Sequence, residues 1–333
     1  MEVESEESWK WFLERLCHVI GCLDGLAIHT DACKGLETAV EAVFPLAEHR
    51  ECMRHLAGNF IKTFRGKVYD ENLSPAAYTC SKLKHNHHLK VLYKANPEVK
   101  DYLEKHHVKV WTRSHFKQTC NVDYVTSNLA ESFNAKIKKL KGLMVYEIFD
   151  KIRQMIIEKM ALRNKIANIS YEGHLIIPRV VKALHTRGRD IPKGTMSCLV
   201  TKPDVEAEVT YNDMKGGSYR YPVDLAKKEC SCNRWQLTVK PCIHALYFLL
   251  DLGGEKGKVD HYVSEYFSLA KLKAAYADNV PALRGKDQWE VVMEPIKLCP
   301  PVLTRPPGRP RKNKIRGSAE GTNLRRRKCK RCG

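Results

Sequence analysis

Two close pairs of metal-binding side chains place the strongest constraint on how this chain can fold. Cys230 and Cys232 form the first pair, and Cys242 and His244 follow after nine intervening residues. Three thiols and one imidazole at this spacing suit tetrahedral Zn²⁺, whose usual ligands are thiolate and imidazole. Four ligands complete the coordination shell and leave no position for water. The spacing therefore predicts one structural zinc ion per chain.

The residues around the two pairs predict a small unit of two strands and a helix. Apolar and polar residues alternate over 206–211 and 218–223 on either side of a Gly-Gly turn, which indicates a β-hairpin. A helix is expected over 244–252, before a second pair of glycines. A unit of roughly 35 residues is too small to bury a sufficient apolar core, so we expect the metal to stabilise it.

The composition argues against a secreted or a membrane-spanning protein. The 333 residues include thirteen cysteines, an odd number in a long chain, and no signal peptide is expected at the acidic N-terminus. Reduced thiols and metal ligands are therefore the better interpretation of the cysteines. No run of eighteen apolar residues exists, so no membrane span is expected.

The net charge of +19 is concentrated at one end of the chain. Residues 301–333 contain twelve Lys and Arg against one Glu, whereas residues 1–50 are acidic. A basic tail on a nearly neutral body predicts a polyanionic partner, and nucleic acid is the commonest one in a reducing compartment. The alternative is a solvated tail that serves only nuclear import. The tail lacks apolar periodicity and is predicted to be disordered by itself.

The N-terminal part predicts alternating helices and strands, which is typical of an α/β sheet domain. Ser8 is the expected cap of the first helix, and Pro45 is expected to stop the second one. In order along the chain, the predicted elements are a helix at 8–20, a strand at 26–30, a helix at 34–43, a strand at 47–51 and a helix at 53–64.

The middle of the chain predicts helices and then a linker. Residues 81–117 are polar and rich in His and Lys, consistent with helices, and apolar residues recur at helical spacing from 129 to 140. A long amphipathic helix is expected over 146–168. Residues 188–203 are predicted to be a linker ahead of the hairpin.

The arrangement C-x-C-x9-C-x-H resembles the SWIM zinc finger. The stretch YPVDLAKKECSCNRWQLTVKPCIHAL closely resembles that family, with Trp235, Gln236 and Pro241 where plant members carry them. The resemblance implies a ββα finger around one structural zinc ion. The alternative is three unrelated buried cysteines and a surface histidine.

Residues 1–165 resemble the transposase domain of plant Mutator-like elements, the MuDR family. The matching pieces are ESWKWFLERL, TDACKGLETAVEAVFPLAEHRECMRHLAGNF and TSNLAESFNAKI. The resemblance implies an RNase H-like fold in which two Asp and one Glu hold two divalent metal ions for strand transfer. By match, Asp31 corresponds to the second Asp and Glu131 to the Glu. The alternatives are a helix-capping role for Asp31 and a solvated helix charge for Glu131.

The family also carries a C-x2-H pair, matched by Cys52 and His55, which face the same way on a helix. Two ligands alone bind zinc weakly, so packing is the alternative role of this pair. The family's first Asp lies ahead of the matching region, so we expect the carboxylate triad to be incomplete. About two of five family strands are expected here, which predicts an open sheet edge and exposed apolar surface.

Two further resemblances lie in the basic tail. Gly308, Arg309, Pro310, Arg311 and Lys312 resemble an AT-hook, whose Gly-Arg-Pro core inserts Arg into the minor groove of DNA. A nuclear-localisation segment is the alternative, and the two roles are compatible. The final C-x2-C pair, Cys329 and Cys332, resembles the opening of a zinc knuckle, without its remaining ligands.

Taken together, the sequence predicts an α/β protein with a small zinc-stabilised module. Its expected parts are a partial RNase H-like transposase domain with a helical insertion (1–168), a helical segment and linker (169–203), the SWIM finger (204–254), a helical or irregular segment (255–300) and the basic tail (301–333).

The predicted function is that of a nuclear, transposase-derived protein that is not an enzyme. It is expected to bind DNA through its tail, and to bind protein or itself through the finger and the exposed partial sheet. One alternative is a DNA transposase subunit that acts by two-metal strand transfer, its missing Asp supplied by another chain. A non-functional remnant is the other.

Overall fold

A computed structural model describes residues 5–21, 23–31, 33–213, 216–278 and 280–290. Its first part is a pair of parallel strands, β1 (Ala27–Thr30) and β2 (Glu48–Glu51), with helices α1 (Glu6–Ile20) and α2 (Lys34–Val43). The two helices pack on each other and bury Leu13, Ala39, Val40 and Phe44. These elements were predicted from the sequence, and the mixed α/β character is confirmed.

The cap of α1 differs from the prediction by three residues. Ser5, not Ser8, is the N-cap, and its Oγ accepts a hydrogen bond from the Ser8 backbone N–H. The helix therefore includes Glu6 and Glu7 in its first turn, where acidic side chains interact favourably with the helix dipole.

Strand β2 is charged and yet buried. Arg50 is 0% exposed and Glu51 1% exposed. The Arg50 guanidinium donates from Nε to Glu48 at 2.8 Å, reaches the Val122 carbonyl at 2.8 Å and lies over the Phe116 ring. Burial of such charges is tolerated only because each one has close partners.

A helical core follows the sheet. It is formed by α3 (Met53–Thr63), α4 (Lys67–Tyr78), α5 (Lys82–Ala95) and α6 (Glu98–His106). Leu56, Phe60 and Leu92 lie at its centre and are 0% exposed. The periodicity of the sequence predicted α3 and helices within 81–117, but it did not predict α4.

The next two helices bury no side chain completely. They are α7 (Asn128–Ile137), which continues into a 3-10 turn at Lys138–Leu140, and α8 (Val145–Lys165), which ends in a π-helical turn at Ile166–Ser170. Leu129, Met144, Val145 and Phe149 are all more than 60% exposed. With Trp11 and Val19 on α1, they confirm the predicted exposed apolar surface.

The C-terminal part of the described chain is built on a four-stranded antiparallel sheet. Helix α9 (Pro178–Arg189) precedes it, and its strands, in spatial order, are β3 (Met196–Lys202), β4 (Glu206–Asn212), β5 (Ser218–Asp224) and β6 (Glu229–Cys230). The predicted hairpin is β4–β5. The predicted linker at 188–203 is wrong, because β3 lies within it and pairs with β4, with an irregularity between Val200 and Lys202.

Three more helices complete this part: α10 (Arg234–Thr238), α11 (Ile243–Leu252) and α12 (Leu269–Ala275). Val209, Trp235, Phe248 and Leu249 form the centre of its core. Leu237 of α10 instead packs into the helical core of the first part. None of the described helices has both the length and the apolar character needed to cross a bilayer.

Candidate metal centre

Four predicted ligands meet where the sheet ends and α11 begins. Cys230 is the last residue of β6 and Cys232 lies in the turn after it, while Cys242 is the N-cap of α11 and His244 is its second residue. Asn233, with a positive φ of 60°, turns the chain sharply out of the first pair. The short helix α10 then returns the chain to the second pair.

The ligand atoms lie at separations close to those around a tetrahedral zinc ion. The Nδ1 atom of His244 lies 3.5 Å from the Cys230 Sγ and 3.9 Å from the Cys242 Sγ. All four ligand atoms lie within 4.8 Å of one another. Bonds of about 2.0–2.3 Å to a central ion place tetrahedral ligands about 3.5–3.8 Å apart. The three sulfurs are free thiols.

The site is enclosed by protein. Cys230, Cys242 and His244 are buried, and Cys232 is half-buried. The Tyr221 ring stacks on the His244 ring at 3.8 Å between centroids. The Cys242 Sγ accepts a hydrogen bond from the Ala245 backbone N–H at the N-terminus of α11, where the helix dipole favours a thiolate.

The side chain of Gln236 fixes the backbone of Cys230 by two hydrogen bonds. Its Oε1 accepts from the Cys230 backbone N–H at 3.3 Å, and its Nε2 donates to the Cys230 carbonyl at 3.0 Å. Such outer partners hold metal ligands in orientation. Sequence matching singled out Gln236 only as a family residue, and its role follows from this geometry. Trp235 is 1% exposed and anchors α10 in the core.

Contacts among the thiols separate their pKa values. A hydrogen bond with Cys230 is the main cause that lowers the pKa of Cys232. The same contact raises the pKa of Cys230 to about 12, and burial raises the pKa of Cys242. A dication at the centre favours all three thiolates, so metal binding here is coupled to proton release. Sulfur and nitrogen donors in a closed shell suit structural zinc.

A second group of ligands includes three residues singled out from the sequence. The Sγ of Cys52, a ring nitrogen of His55 and a carboxylate oxygen of Glu131 all lie within 4.8 Å of one another. Cys52 is the N-cap of α3 and fully buried. Glu131 forms an ion pair with Arg54, so it is not simply a solvated charge.

Asp31 lies apart from both groups. It is exposed directly after β1, and neither set of close ligand atoms among the described residues includes it. The capping interpretation of Asp31 is wrong, because the N-cap of α2 is Cys33. The AT-hook-like residues Gly308, Arg309, Pro310, Arg311 and Lys312 lie outside the described residues, as does the C-terminal cysteine pair.

Comparison with protein families identifies two regions. Residues 1–150 match the family model described as Transposase, Mutator family, and residues 209–247 match the SWIM zinc finger model. The second match contains all four ligands of the closed site. No curated protein and no solved structure matched the chain.

Proposed function

Since this chain is a transposase-derived protein of the Mutator family with a SWIM zinc finger, we propose that it acts as a nuclear DNA-associated protein without strand-transfer activity. In this proposal the finger is a structural module with one zinc ion, and the chain regulates or occupies DNA. We also propose the RNase H-like fold for residues 1–168 and an origin in a plant element of the MuDR type.

The distribution of charge supports a DNA partner. Residues 301–333 carry twelve of the basic residues against one Glu. In the described part, the end of α7 and the turn after it add four exposed lysines: Lys136, Lys138, Lys139 and Lys141. Lysine and arginine that neutralise phosphates release counterions, and this release supplies most of sequence-independent affinity.

The surroundings of Glu131 support the absence of strand transfer. The chemistry that the family resemblance implies uses carboxylates around two hard metal ions. Here the side chains gathered with Glu131 are a thiol and an imidazole, which suit softer metals, whereas Asp31 is exposed elsewhere.

DNA affinity measured against salt concentration tests the proposal. We expect affinity to fall steeply with salt, with a log–log slope of about −0.9 for each phosphate contacted. Deletion of 301–333 should flatten the slope. A variant of unchanged length, with the twelve Lys and Arg of the tail replaced by Gln, should behave like the deletion. Failure to retain DNA even at low salt would contradict the proposal.

A strand-cleavage assay on the same purified protein distinguishes this function from that of a transposase subunit. The transposase subunit is the second candidate, because residues 1–150 match the Mutator family model. Purified protein should not cut or join DNA strands with Mg²⁺ or Mn²⁺. Metal-dependent cleavage that is lost in Asp31→Ala or Glu131→Gln would replace the proposal with the enzymatic one.

The exposed apolar residues of α7 and α8 support a protein partner or self-association in addition to DNA. Equilibrium sedimentation of the full chain, with and without DNA, would detect assembly. Attachment to membranes forms no part of the proposed function.

A further inference from the structure

We propose that Cys52, His55 and Glu131 form a second metal site, which takes a divalent transition-metal ion of the zinc class and keeps one coordination position open. One sulfur, one nitrogen and one oxygen are already within 4.8 Å of one another. Ligands around such an ion lie about 3.3–3.8 Å apart, so small side-chain rotations complete the site.

The backbone around this site is held in place by two hydrogen bonds to other segments of the chain. The Cys52 backbone N–H donates to the Thr30 carbonyl of β1 at 2.8 Å, and the Met53 N–H donates to the Val125 carbonyl at 2.8 Å. The N-terminus of α3 is thereby tied both to the sheet and to the segment that leads into α7. Glu131 lies in the first turn of α7 and reaches the site from there.

The sulfur of Cys52 is buried and accepts two hydrogen bonds. The residue is 0% exposed, and it stands at the N-terminus of α3. Its Sγ accepts hydrogen bonds from both the backbone N–H and the Oγ of Ser127, each at 3.3 Å. Donors aimed at a sulfur and a helix N-terminus both stabilise negative charge there, as around metal-bound thiolates.

The charges of the site match a dication. A thiolate and a carboxylate neutralise two positive charges, and the imidazole binds as a neutral ligand. Arg54 pairs with Oε2 of Glu131, so the other carboxylate oxygen stays available. The Arg54 side chain is 64% exposed, and an ion pair this exposed is weak enough for a metal to compete with it.

Three protein ligands leave a fourth position for water or for an oxygen of a bound molecule, as in catalytic zinc sites. This arrangement differs from a pair of hard ions held by carboxylates, because sulfur and imidazole select zinc-class metals over Mg²⁺. The open position also predicts weaker retention than in the closed finger.

Zinc binding to the full chain at a series of buffered free zinc concentrations tests the site. We expect two zinc equivalents at saturation, with the second one weaker. Loss of a hydrogen-bonding partner of a ligand typically costs roughly 10–100-fold in metal affinity. Each ligand substitution should weaken binding of only the second equivalent, and by more than this, in Cys52→Ser, His55→Gln and Glu131→Gln. Ser127→Ala, which removes one donor to the sulfur, should fall within that range.

Cys120→Ser is the matched control, because Cys120 is also buried but belongs to neither ligand group. It should bind both equivalents.

Co²⁺ placed in the second site should show a thiolate charge-transfer band that disappears in Cys52→Ser. One equivalent at saturation, or two retained with unchanged affinity in Cys52→Ser, would overturn the site. Loss of the second equivalent in Asp31→Ala but not in Cys52→Ser would also overturn it, in favour of a carboxylate site.

Discussion

The finger and the α/β segment each contain a cysteine–histidine pair at the start of a helix, but different residues complete the two ligand groups. Each places a cysteine at the N-cap of a helix and a histidine in the first turn: Cys242 with His244 on α11, and Cys52 with His55 on α3. In the finger, two more thiols from the end of the sheet close the shell. In the α/β segment, a single carboxylate from α7 stands opposite, so the group has three members.

The two regions also differ in what holds them together. The sheet of the finger has four strands, and its ligands join strand to helix across a small core. The described part of the α/β segment pairs two strands and buries polar side chains beside them, in the ion pair of Arg50 with Glu48 and the hydrogen bond between Glu51 and His107. We therefore expect the finger to depend on its metal for its fold, and the α/β segment to depend on its buried polar pairs.

The largest expected effect is the loss of one zinc ligand in the finger. Apparent binding free energies of structural zinc are on the order of 10 kcal/mol, comparable with the whole stability of a domain. Cys232→Ser should therefore lose the tightly bound zinc and the amide-exchange protection of β4 and α11, while α3 to α6 stay protected.

Cys198→Ser is the control, because Cys198 is also half-buried in this region but is not a ligand. It should keep the zinc and the protection. If Cys232→Ser kept stoichiometric tight zinc, the ligands would have to be other residues. Equal loss of protection in both regions would remove the contrast between them.

A smaller effect is expected from the buried ion pair of the α/β segment. Arg50→Met leaves the buried Glu48 carboxylate without its cationic partner, and loss of one member of a buried ion pair typically costs about 3–5 kcal/mol. Denaturant unfolding followed in the α/β segment measures the loss, and the zinc content of the finger should not change.

The exposed pair of Lys67 and Glu71 provides the control for Arg50. Lys67→Met should change stability by only about 0.5 kcal/mol, because exposed ion pairs contribute little. A loss in Arg50→Met no larger than in Lys67→Met would show that the buried pair does not stabilise the segment.

The smallest expected effect, taken per pH unit and per histidine, is a dependence of stability on pH in the α/β segment. Burial is the main cause that lowers the pKa of His29 and of His49 to about 4 from the ordinary 6.5. The unfolded chain therefore binds more protons than the folded chain between pH 6.5 and about 4. The contribution of these histidines to stability is fully present above pH 6.5 and is lost as the pH falls through about 4.

His29→Leu should reduce this slope, because it removes one of the two histidines that take up a proton on unfolding. Among the described residues, neither ring nitrogen of His29 has a hydrogen-bond partner, so the substitution removes no hydrogen bond. Denaturant midpoints of both proteins between pH 6.5 and 4 measure the difference. Identical slopes would mean that proton uptake by His29 does not limit the stability of the segment.

Sequence patterns predicted those features whose partners are near in the chain. The finger ligands occupy fifteen residues with a distinctive spacing, and the strands and helices before residue 64 alternate clearly between turn signals. Strand β3 escaped prediction because most of its residues are exposed, so it lacks an alternating pattern. The charges of β2 predict an exposed strand, and only distant partners such as Val122 and His107 allow their burial.

The three-membered ligand group shows the same limit. Cys52 and His55 were visible as a pair, and Glu131 was visible as a family residue, but about eighty residues separate them along the chain. No periodicity or spacing predicts that α7 brings its carboxylate to the N-terminus of α3. The hydrogen bonds between the Gln236 side chain and the Cys230 backbone are not predictable from the sequence either, because they depend on side-chain geometry.

X-ray absorption at the zinc edge, on full-length protein that retains only its tightly bound zinc, tests most directly whether the finger is the closed site. The closed site should give three sulfur neighbours at about 2.3 Å and one nitrogen neighbour at about 2.0 Å. A shell dominated by oxygen and nitrogen, or one with a single sulfur, would contradict it.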